Sequence, residues 1–173
     1  MPVTATEAGP AWVVTLDWPE KRNSLGPEDT AEVAAAIEEA GGKARSALVL
    51  TGSGAFCAGG DLRAFSEVSR TMAVEQIRDT VYGRVQRMVR ALAECPVPTI
   101  AAVDGPAVGL GFDLALACDM RFVGSAGFLQ QGWARAGLIA GTGGVGLLER
   151  AAPGLLWQLI ATQERLGPVR ASE

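Results

Sequence analysis

Residues 96–122 have the sequence PVPTIAAVDGPAVGLGFDLALACDMRF, and this stretch decides the fold class. The apolar run Thr99–Val103 follows two prolines and has the length and composition of a buried strand. A glycine-rich loop comes next, and it opens a short apolar helix predicted over Leu110–Ala117. A further strand is predicted at Met120–Val123. Strand, glycine loop, helix and strand in this order indicate an α/β layout with βαβ units.

The same alternation continues on both sides of this stretch. Periodicity and turn residues predict strands at Ala11–Leu16 and Ser46–Thr51, and helices at Pro27–Ala40, Met72–Ala93 and Leu155–Gln163. We expect Gly41 and Gly42 to end the first helix, and Gly141–Gly146 (GTGGVG) to form a flexible loop. The sequence has no fixed-period repeat and no low-complexity tract, so residues 1–173 are predicted to form a single domain.

Composition excludes several classes of function. Hydrophobic residues make up 49% of the chain, and 15 basic against 19 acidic residues leave a net charge of −4. This balance argues against a nucleic-acid binder, because such proteins need clustered positive charge. The chain has no histidine, which removes Ser-His-Asp triads, Cys-His pairs and histidine metal sites. Proton transfer must therefore use carboxylates, Tyr82, a lysine, a cysteine or water.

Cysteine usage and hydropathy indicate a soluble protein of the cytoplasm. Cys57, Cys95 and Cys118 are odd in number and contain no CxxC pair, so we expect reduced thiols and no metal site. The N-terminus lacks the basic-then-apolar pattern of a signal peptide. Apolar runs end well before the roughly 20 residues that a membrane span needs.

Two glycine-rich loops follow predicted strands, at residues 51–62 and 103–113. Glycines at such positions let the backbone approach a ligand and expose N–H groups, and two converging donors can form an oxyanion hole. Either loop alone is equally explained as a tight strand-to-helix turn without a ligand. Neither loop matches the phosphate-binding patterns G-x-x-x-x-G-K-[ST] or G-x-G-x-x-G, so an unrelated nucleotide-binding α/β protein is the weakest of the interpretations.

Four segments in order resemble the crotonase (enoyl-CoA hydratase/isomerase) superfamily. They are WPEKRNSL at 18–25, AFCAGGDL at 55–62, the stretch at 96–122 and GLIAGTGG at 137–144. The resemblance implies an α/β spiral fold of ββα units and an acyl-CoA substrate. It also implies no cofactor other than the coenzyme A of the substrate, and an oxyanion hole that stabilises a thioester enolate during hydration or isomerisation of a double bond. The alternative is a catalytically inactive crotonase-like domain that binds acyl-CoA or a partner.

The resemblance also implies roles for particular residues. The catalytic N–H donors fall on Gly60 and Leu110, and Leu110 departs from the glycine common at that position. The substrate-binding positions are Lys21, Arg22, Ala58, Asp61, Leu62, Trp133 and Gly137. Ala58 and Leu62 match the adenine-binding backbone, and Lys21 with Arg22 falls where coenzyme A phosphates bind. A solvated charged turn explains Lys21 and Arg22 equally, and capping of the following helix explains Asp61.

The acid–base positions depart from the family pattern. Hydratases of this family use two glutamates, and here the first position is Asp113 and the second is Trp133. Asp113 is our candidate acid or base toward an acidified α- or γ-carbon; the alternative is a structural carboxylate bonded to backbone N–H groups. Trp133 cannot accept a proton and is expected to form one wall of the acyl pocket. Glu67 and Glu75 are expected to be surface charges.

The C-terminal end of the sequence bears on assembly and on exposed apolar surface. Relatives continue past this point into helices that cover the acyl pocket and build the trimer interface, so the homotrimer or hexamer of the family is in question for this chain. Without those helices, we expect exposed apolar surface at Leu155, Leu156, Trp157 and Leu159.

Overall fold

The computed structural model describes residues 2–172, apart from the side chain of residue 80. The strands in this part of the chain are β1 (Val3–Ala8), β2 (Ala11–Leu16), β3 (Leu48–Gly52), β4 (Thr99–Val103), β5 (Pro106–Val108), β6 (Met120–Val123) and β7 (Phe128–Gln130). The helices are α1 (Pro27–Lys43), α2 (Leu62–Thr71), α3 (Val74–Gln76), α4 (Gly83–Ala93), α5 (Leu110–Ala117), α6 (Gly144–Ala151), α7 (Leu156–Thr162) and α8 (Pro168–Ser172). A π-helix, Ile77–Tyr82, joins α3 to α4.

The main sheet has five strands in the order β1-β2-β3-β4-β6. β1 and β2 form an antiparallel hairpin, whereas β2-β3, β3-β4 and β4-β6 are parallel pairs. A parallel pair needs a crossover connection, and the helices between the strands supply it. The predicted α/β class is therefore confirmed.

A second, shorter ladder runs across successive turns of the chain. β5 pairs with β7 in a separate two-stranded sheet. Isolated β-bridges extend this ladder by pairing Leu25 with Gly60, Cys57 with Ala107, and Leu129 with Leu166. Strands β4 and β6 of the main sheet are each followed along the chain by a strand of this second ladder. This arrangement stacks strand–strand–helix units one above the next.

Buried side chains of both layers form one hydrophobic core. Elements β2, α1, β3, α4 and α5 all contribute large side chains to it, including Leu16, Ile37, Leu50, Met88 and Leu114, each fully buried. The helical periodicity predicted for α1 is confirmed, because Val33, Ile37 and Ala40 are buried. Helix α1 packs against α4, so the core lies between the sheet and these helices.

Two predicted boundaries were wrong at glycines. Helix α1 continues through Gly41 and Gly42 to Lys43. A Cβ atom on Gly41 would lie 2.8 Å from the Cys95 sulfur, so this glycine allows close packing inside the helix and does not end it. Residues 141–146 are also not one flexible loop, because α6 begins at Gly144.

The predicted long helix at Met72–Ala93 exists as three consecutive helical pieces. α3, the π-helix and α4 follow one another without a break. Val81, Val85, Met88 and others of the predicted apolar face are buried. Val74, which we expected on the same face, is 77% exposed.

The exposed apolar patch predicted near the C-terminus is mostly absent. Leu156 and Leu159 are buried, Leu155 is half-buried, and only Trp157 of the four is exposed, at 76%. Helix α7 therefore already packs its leucines into the core. None of the helices within residues 2–172 combines the length and the apolar character required to cross a bilayer.

Candidate active site

The two glycine-rich loops lie side by side because their backbones hydrogen-bond to each other. The Cys57 N–H donates to the Pro106 carbonyl at 2.9 Å, and the Val108 N–H donates to the Cys57 carbonyl at 3.0 Å. A Cβ atom on Gly111 would overlap with the Cys57 carbonyl, so the approach of the two loops requires glycine at this position. The segments after β3 and β4 thus meet at one place.

Gly60 and Leu110, one from each loop, line the same cavity. Leu110 is the first residue of α5, and a first helical N–H has no acceptor within its own helix. Gly109 before it has φ 54° and ψ −113°, a conformation suited to glycine. Neither the Gly60 N–H nor the Leu110 N–H has an acceptor among the hydrogen bonds of residues 2–172. Both of these cavity-lining residues therefore carry a backbone N–H group without a partner among the described residues.

The cavity has a volume of about 340 Å³ and a largely apolar wall. Its lining residues are Gly60, Leu62, Phe65, Ser66, Ser69, Ile77, Val81, Tyr82, Val85, Leu110, Trp133, Leu138, Ile139, Gly141 and Thr142. No residue of this lining carries a carboxylate, an ammonium or a guanidinium group. The polar side chains of the wall are hydroxyls and one indole N–H, so the cavity suits an uncharged, largely apolar ligand group.

Asp113 lies directly behind this wall. Its side chain is 1% exposed, and its Oδ2 accepts hydrogen bonds from the Trp133 indole Nε1 at 2.8 Å and from the Thr142 hydroxyl. Burial raises the pKa of Asp113 from 3.8 to about 7, although both hydrogen bonds act in the opposite direction. The donors are thus two side chains and not the backbone N–H groups expected for a structural carboxylate.

Trp133 and Thr142 reach Asp113 because glycines bring their segments close. A Cβ atom on Gly132 would lie 2.8 Å from the Gly109 nitrogen, so the chain before Trp133 packs tightly on the second glycine loop. A Cβ atom on Gly144 would overlap with the Asp113 carboxylate. The segment that carries Thr142 therefore also packs directly on Asp113, and both donors belong to the cavity wall.

Lys21 and Arg22 lie outside the cavity lining. Lys21 forms an ion pair with Asp29 at 2.6 Å and lies 5.0 Å from the ring centre of Trp18. The Arg22 side chain is exposed, and the Arg22 carbonyl accepts a hydrogen bond from the Ala58 N–H at 3.0 Å. The basic turn is thereby attached to the first glycine loop.

The other predicted binding residues are divided between the cavity and its surroundings. Leu62 is 51% exposed and lines the cavity. The Asp61 side chain accepts hydrogen bonds from the Arg63 and Ala64 N–H groups, so it caps α2. Gly137 ends a short 3₁₀ turn with φ 69° and does not line the cavity.

The remaining titratable groups considered in the sequence are not placed for chemistry. Burial raises the pKa of both Cys57 and Cys118 to about 12, so their thiols are neutral. Glu67 and Glu75 are exposed and are not part of the cavity lining, which confirms the prediction that they are surface charges.

Sequence reasoning missed Thr142 and the position of Tyr82 in the cavity wall. Thr142 is part of the segment GLIAGTGG, but it was interpreted only as a loop residue. Tyr82 lines the cavity, and its ring is so close that a Cβ atom on Gly141 would lie 2.7 Å from it. Tyr82 lies in a π-helix, a feature often found at functional sites, and this distortion has no simple sequence signature.

Comparison with known proteins decides the family. Residues 7–163 match the family described as enoyl-CoA hydratase/isomerase. The chain belongs to the enoyl-CoA hydratase/isomerase family. Its resemblance to the crotonase superfamily, first indicated by the four sequence segments, is thereby confirmed.

Curated relatives in this family share more than a third of their aligned residues with the chain. A "probable enoyl-CoA hydratase" of Mycobacterium tuberculosis is 38% identical over 144 residues, which cover 80% of this chain and 53% of the relative. A protein of the same description from Rhodobacter capsulatus is 39% identical over 139 residues, covering 80% of this chain and 52% of the relative. The chain thus spans about half the length of these relatives.

Solved structures of the enoyl-CoA hydratase/isomerase family have the same fold. An enoyl-CoA hydratase from Polaromonas superposes with a TM-score of 0.86 at 32% identity, over 97% of this chain and 66% of that chain. An enoyl-CoA hydratase/isomerase from Mycobacterium paratuberculosis gives a TM-score of 0.86 at 29% identity, over 98% of this chain and 68% of that chain. The expected crotonase-like fold is therefore confirmed.

Proposed function

We propose that this chain binds an acyl-CoA thioester, with the thioester carbonyl oxygen held by the N–H groups of Gly60 and Leu110. Two observations support this proposal: the two glycine loops are paired, and Gly60 and Leu110, which line one cavity, have N–H groups without acceptors among residues 2–172. When a proton leaves the α-carbon of a thioester, negative charge develops on the carbonyl oxygen. Fixed donors stabilise this charge, often as the largest single contribution to catalysis.

The reaction that the site supports best is proton transfer on an enoyl-CoA, which moves or hydrates a double bond. Asp113 is the carboxylic acid that touches two residues of the cavity wall, and its pKa of about 7 lets it take up and return a proton near neutral pH. Isomerisation removes a proton from one carbon and returns it to another, so a single acid–base group is enough. Hydration by two carboxylates is disfavoured, because Trp133 occupies the second position and its N–H can only donate.

The alternative is a chain that binds acyl-CoA without turning it over. The burial of Asp113 favours this alternative, because the carboxylate is only 1% exposed and is not part of the cavity lining. An enzyme has to move protons past the Trp133–Thr142 wall, whereas a binding protein does not.

The remaining parts of the proposal concern coenzyme A and the whole protein. The exposed Arg22 and the backbone of Ala58 and Leu62 are our candidates for contacts with the phosphates and adenine, and Lys21 is available only if its ion pair with Asp29 opens. We propose no cofactor beyond the coenzyme A of the substrate. Assembly as a homotrimer or hexamer and a cytoplasmic location stay predictions.

A matched pair of variants at Leu110 tests the proposed oxyanion hole. Proline is well accepted at the first position of a helix, so Leu110→Pro removes the N–H group with little damage to α5. Leu110→Ala trims the same buried side chain but keeps the N–H group. Loss of one oxyanion-hole donor costs about 100- to 1,000-fold in kcat. We expect this difference between the two variants when turnover is measured on a panel of enoyl-CoA and dienoyl-CoA thioesters.

Turnover and binding measured on the same thioester panel distinguish an active enzyme from an inactive binding domain. Equal activity of the two Leu110 variants would refute the donor role of this N–H group. Thioester binding by calorimetry without turnover of any substrate would select the inactive binding domain. If the wild-type chain binds no CoA thioester, both versions of the proposed function are wrong.

A further inference from the structure

Thr142 is the polar contact between the cavity and Asp113 that can carry a proton. Its side chain is 6% exposed and lines the cavity, while its hydroxyl donates to Asp113 Oδ2. Asp113 itself is not part of the lining. A ligand in the cavity therefore meets the Thr142 hydroxyl before it can meet the carboxylate.

Trp133, the other residue that donates to Asp113, cannot do the same. An indole N–H only donates, so Trp133 holds the carboxylate in place but cannot receive a proton from the cavity side. A hydroxyl combines one donor with two acceptor lone pairs. Thr142 can therefore give its proton to Asp113 and accept another at the same oxygen.

The position of Thr142 is fixed from both sides. Before it, Gly141 packs against the ring of Tyr82, and its carbonyl accepts a hydrogen bond from Gln86 Nε2 at 3.1 Å. After it, Gly144 packs directly on Asp113 at the start of α6. A hydroxyl with fixed neighbours keeps the alignment that proton transfer requires.

The electrostatic surroundings allow Asp113 to act as the proton store. Burial is the main influence on its pKa, followed by the two side-chain hydrogen bonds. The neighbouring Cys57 thiol, whose pKa is raised mainly by burial and further by the charge of Asp113, is neutral. The cavity wall formed by α2, the π-helix and residues 133–142 presents no charged side chain to compete for the proton.

We propose that Thr142 is a catalytic residue that relays protons between an acyl group in the cavity and the Asp113 carboxylate. This inference rests on the proposed function. The proton of an acidified carbon moves to Thr142 Oγ1 while the Oγ1 proton moves to Asp113 Oδ2, and the C–H electron pair enters the enolate. The reverse transfer returns a proton to carbon, restores the carboxylate and leaves the hydroxyl unchanged. No oxidant or reductant takes part.

Three variants test the relay. Thr142→Val removes the hydroxyl while keeping the shape of the side chain, and Thr142→Ser keeps the hydroxyl. Thr30→Val is the matched control, because it removes a buried threonine hydroxyl that donates to the Pro27 carbonyl in α1, outside the site. Two rates are measured: turnover of enoyl-CoA, and exchange of the α-protons of a saturated acyl-CoA in deuterated water. Urea unfolding of each variant confirms that it is folded.

We expect Thr142→Val to lower both rates by about 100-fold or more, with KM and thioester affinity within about threefold of wild type. Thr142→Ser should recover most of this loss, and Thr30→Val should match wild type. Wild-type rates in a folded Thr142→Val would overturn the relay and leave thioester binding intact. Thioester binding by the wild type without turnover or exchange would also overturn it. Failure of the wild type to bind thioester would refute the proposed function, and the relay with it.

Discussion

Replacing Asp113 with Asn should remove a large pH dependence of the free energy of unfolding. Burial raises the pKa of Asp113 from 3.8 to about 7 in the folded chain. Between these two values the native state holds a proton that the unfolded chain has released. The free energy of unfolding of the wild type therefore falls as the pH rises through this range, and it levels off above the folded pKa.

The size of the effect follows from the pKa difference. One pKa unit is worth about 1.4 kcal/mol, so the full range corresponds to about 4 kcal/mol. Between about pH 5 and about pH 7 the wild type should lose about 2 kcal/mol relative to Asp113→Asn. The amide oxygen of Asn can still accept the hydrogen bonds of Trp133 and Thr142, which both go to one carboxylate oxygen. The comparison therefore isolates the titration.

Urea unfolding of both proteins at a series of pH values measures this difference. Asp119→Asn is the control of opposite sign, because the Thr99 N–H and hydroxyl lower the pKa of Asp119 by donating to its carboxylate. The stabilisation by Asp119 is present above its unfolded pKa and is lost as the pH falls. A wild-type curve that stays level or rises relative to Asp113→Asn between pH 5 and pH 7 would refute our reasoning on Asp113.

Three further predictions concern single positions. Gly42→Ala should raise the free energy of unfolding by about 0.5–1 kcal/mol, because its Cβ atom meets no atom within 4 Å. Gly41→Ala should lower the free energy of unfolding, because its Cβ atom would crowd Cys95. Urea unfolding that shows the same sign for both variants would contradict the packing argument. Gly109→Ala should lower the free energy of unfolding by about 1–3 kcal/mol, because φ of 54° with ψ of −113° strains alanine. Calorimetry should also show weaker thioester binding. Unchanged stability and affinity would contradict this prediction. Trp133→Phe removes a hydrogen bond that lowers the pKa of Asp113. The free energy of unfolding of this variant should therefore level off at a higher pH than that of the wild type. A shift to lower pH would contradict the role of this hydrogen bond.

Four of the five main-sheet strands could be predicted from the sequence because they depend on local patterns, whereas β1, α6 and α8 were not predicted. Apolar runs and turn residues located β2, β3, β4 and β6 to within a few residues. The short strands β5 and β7 have three residues each, too few to show a period, and they exist because neighbouring turns of the chain stack. The helix boundary at Gly41 was wrong because its cause, the contact with Cys95, is tertiary.

The candidate site was predictable where backbone geometry defines it and unpredictable where side chains meet across the chain. Gly60 and Leu110 were indicated by the resemblance of their glycine loops to the crotonase superfamily, and both line the cavity. The hydrogen bonds of Asp113 join residues 20 and 29 positions apart in the sequence, and no local pattern encodes them. The exposed leucines expected in α7 are buried for the same reason, since periodicity does not say which neighbour covers a helix face.

The hydrogen bonds that join the two glycine loops involve main-chain atoms alone. The shape of the cavity and the geometry of the loop backbone are therefore determined by different groups. Side chains such as Phe65 or Ile139 line the cavity but take no part in joining the loops. Under the proposed function, substitutions there should change the preferred acyl chain length while the backbone contacts proposed for the carbonyl oxygen persist. A scaffold arranged in this way can acquire new substrates by small steps without losing its reactive centre.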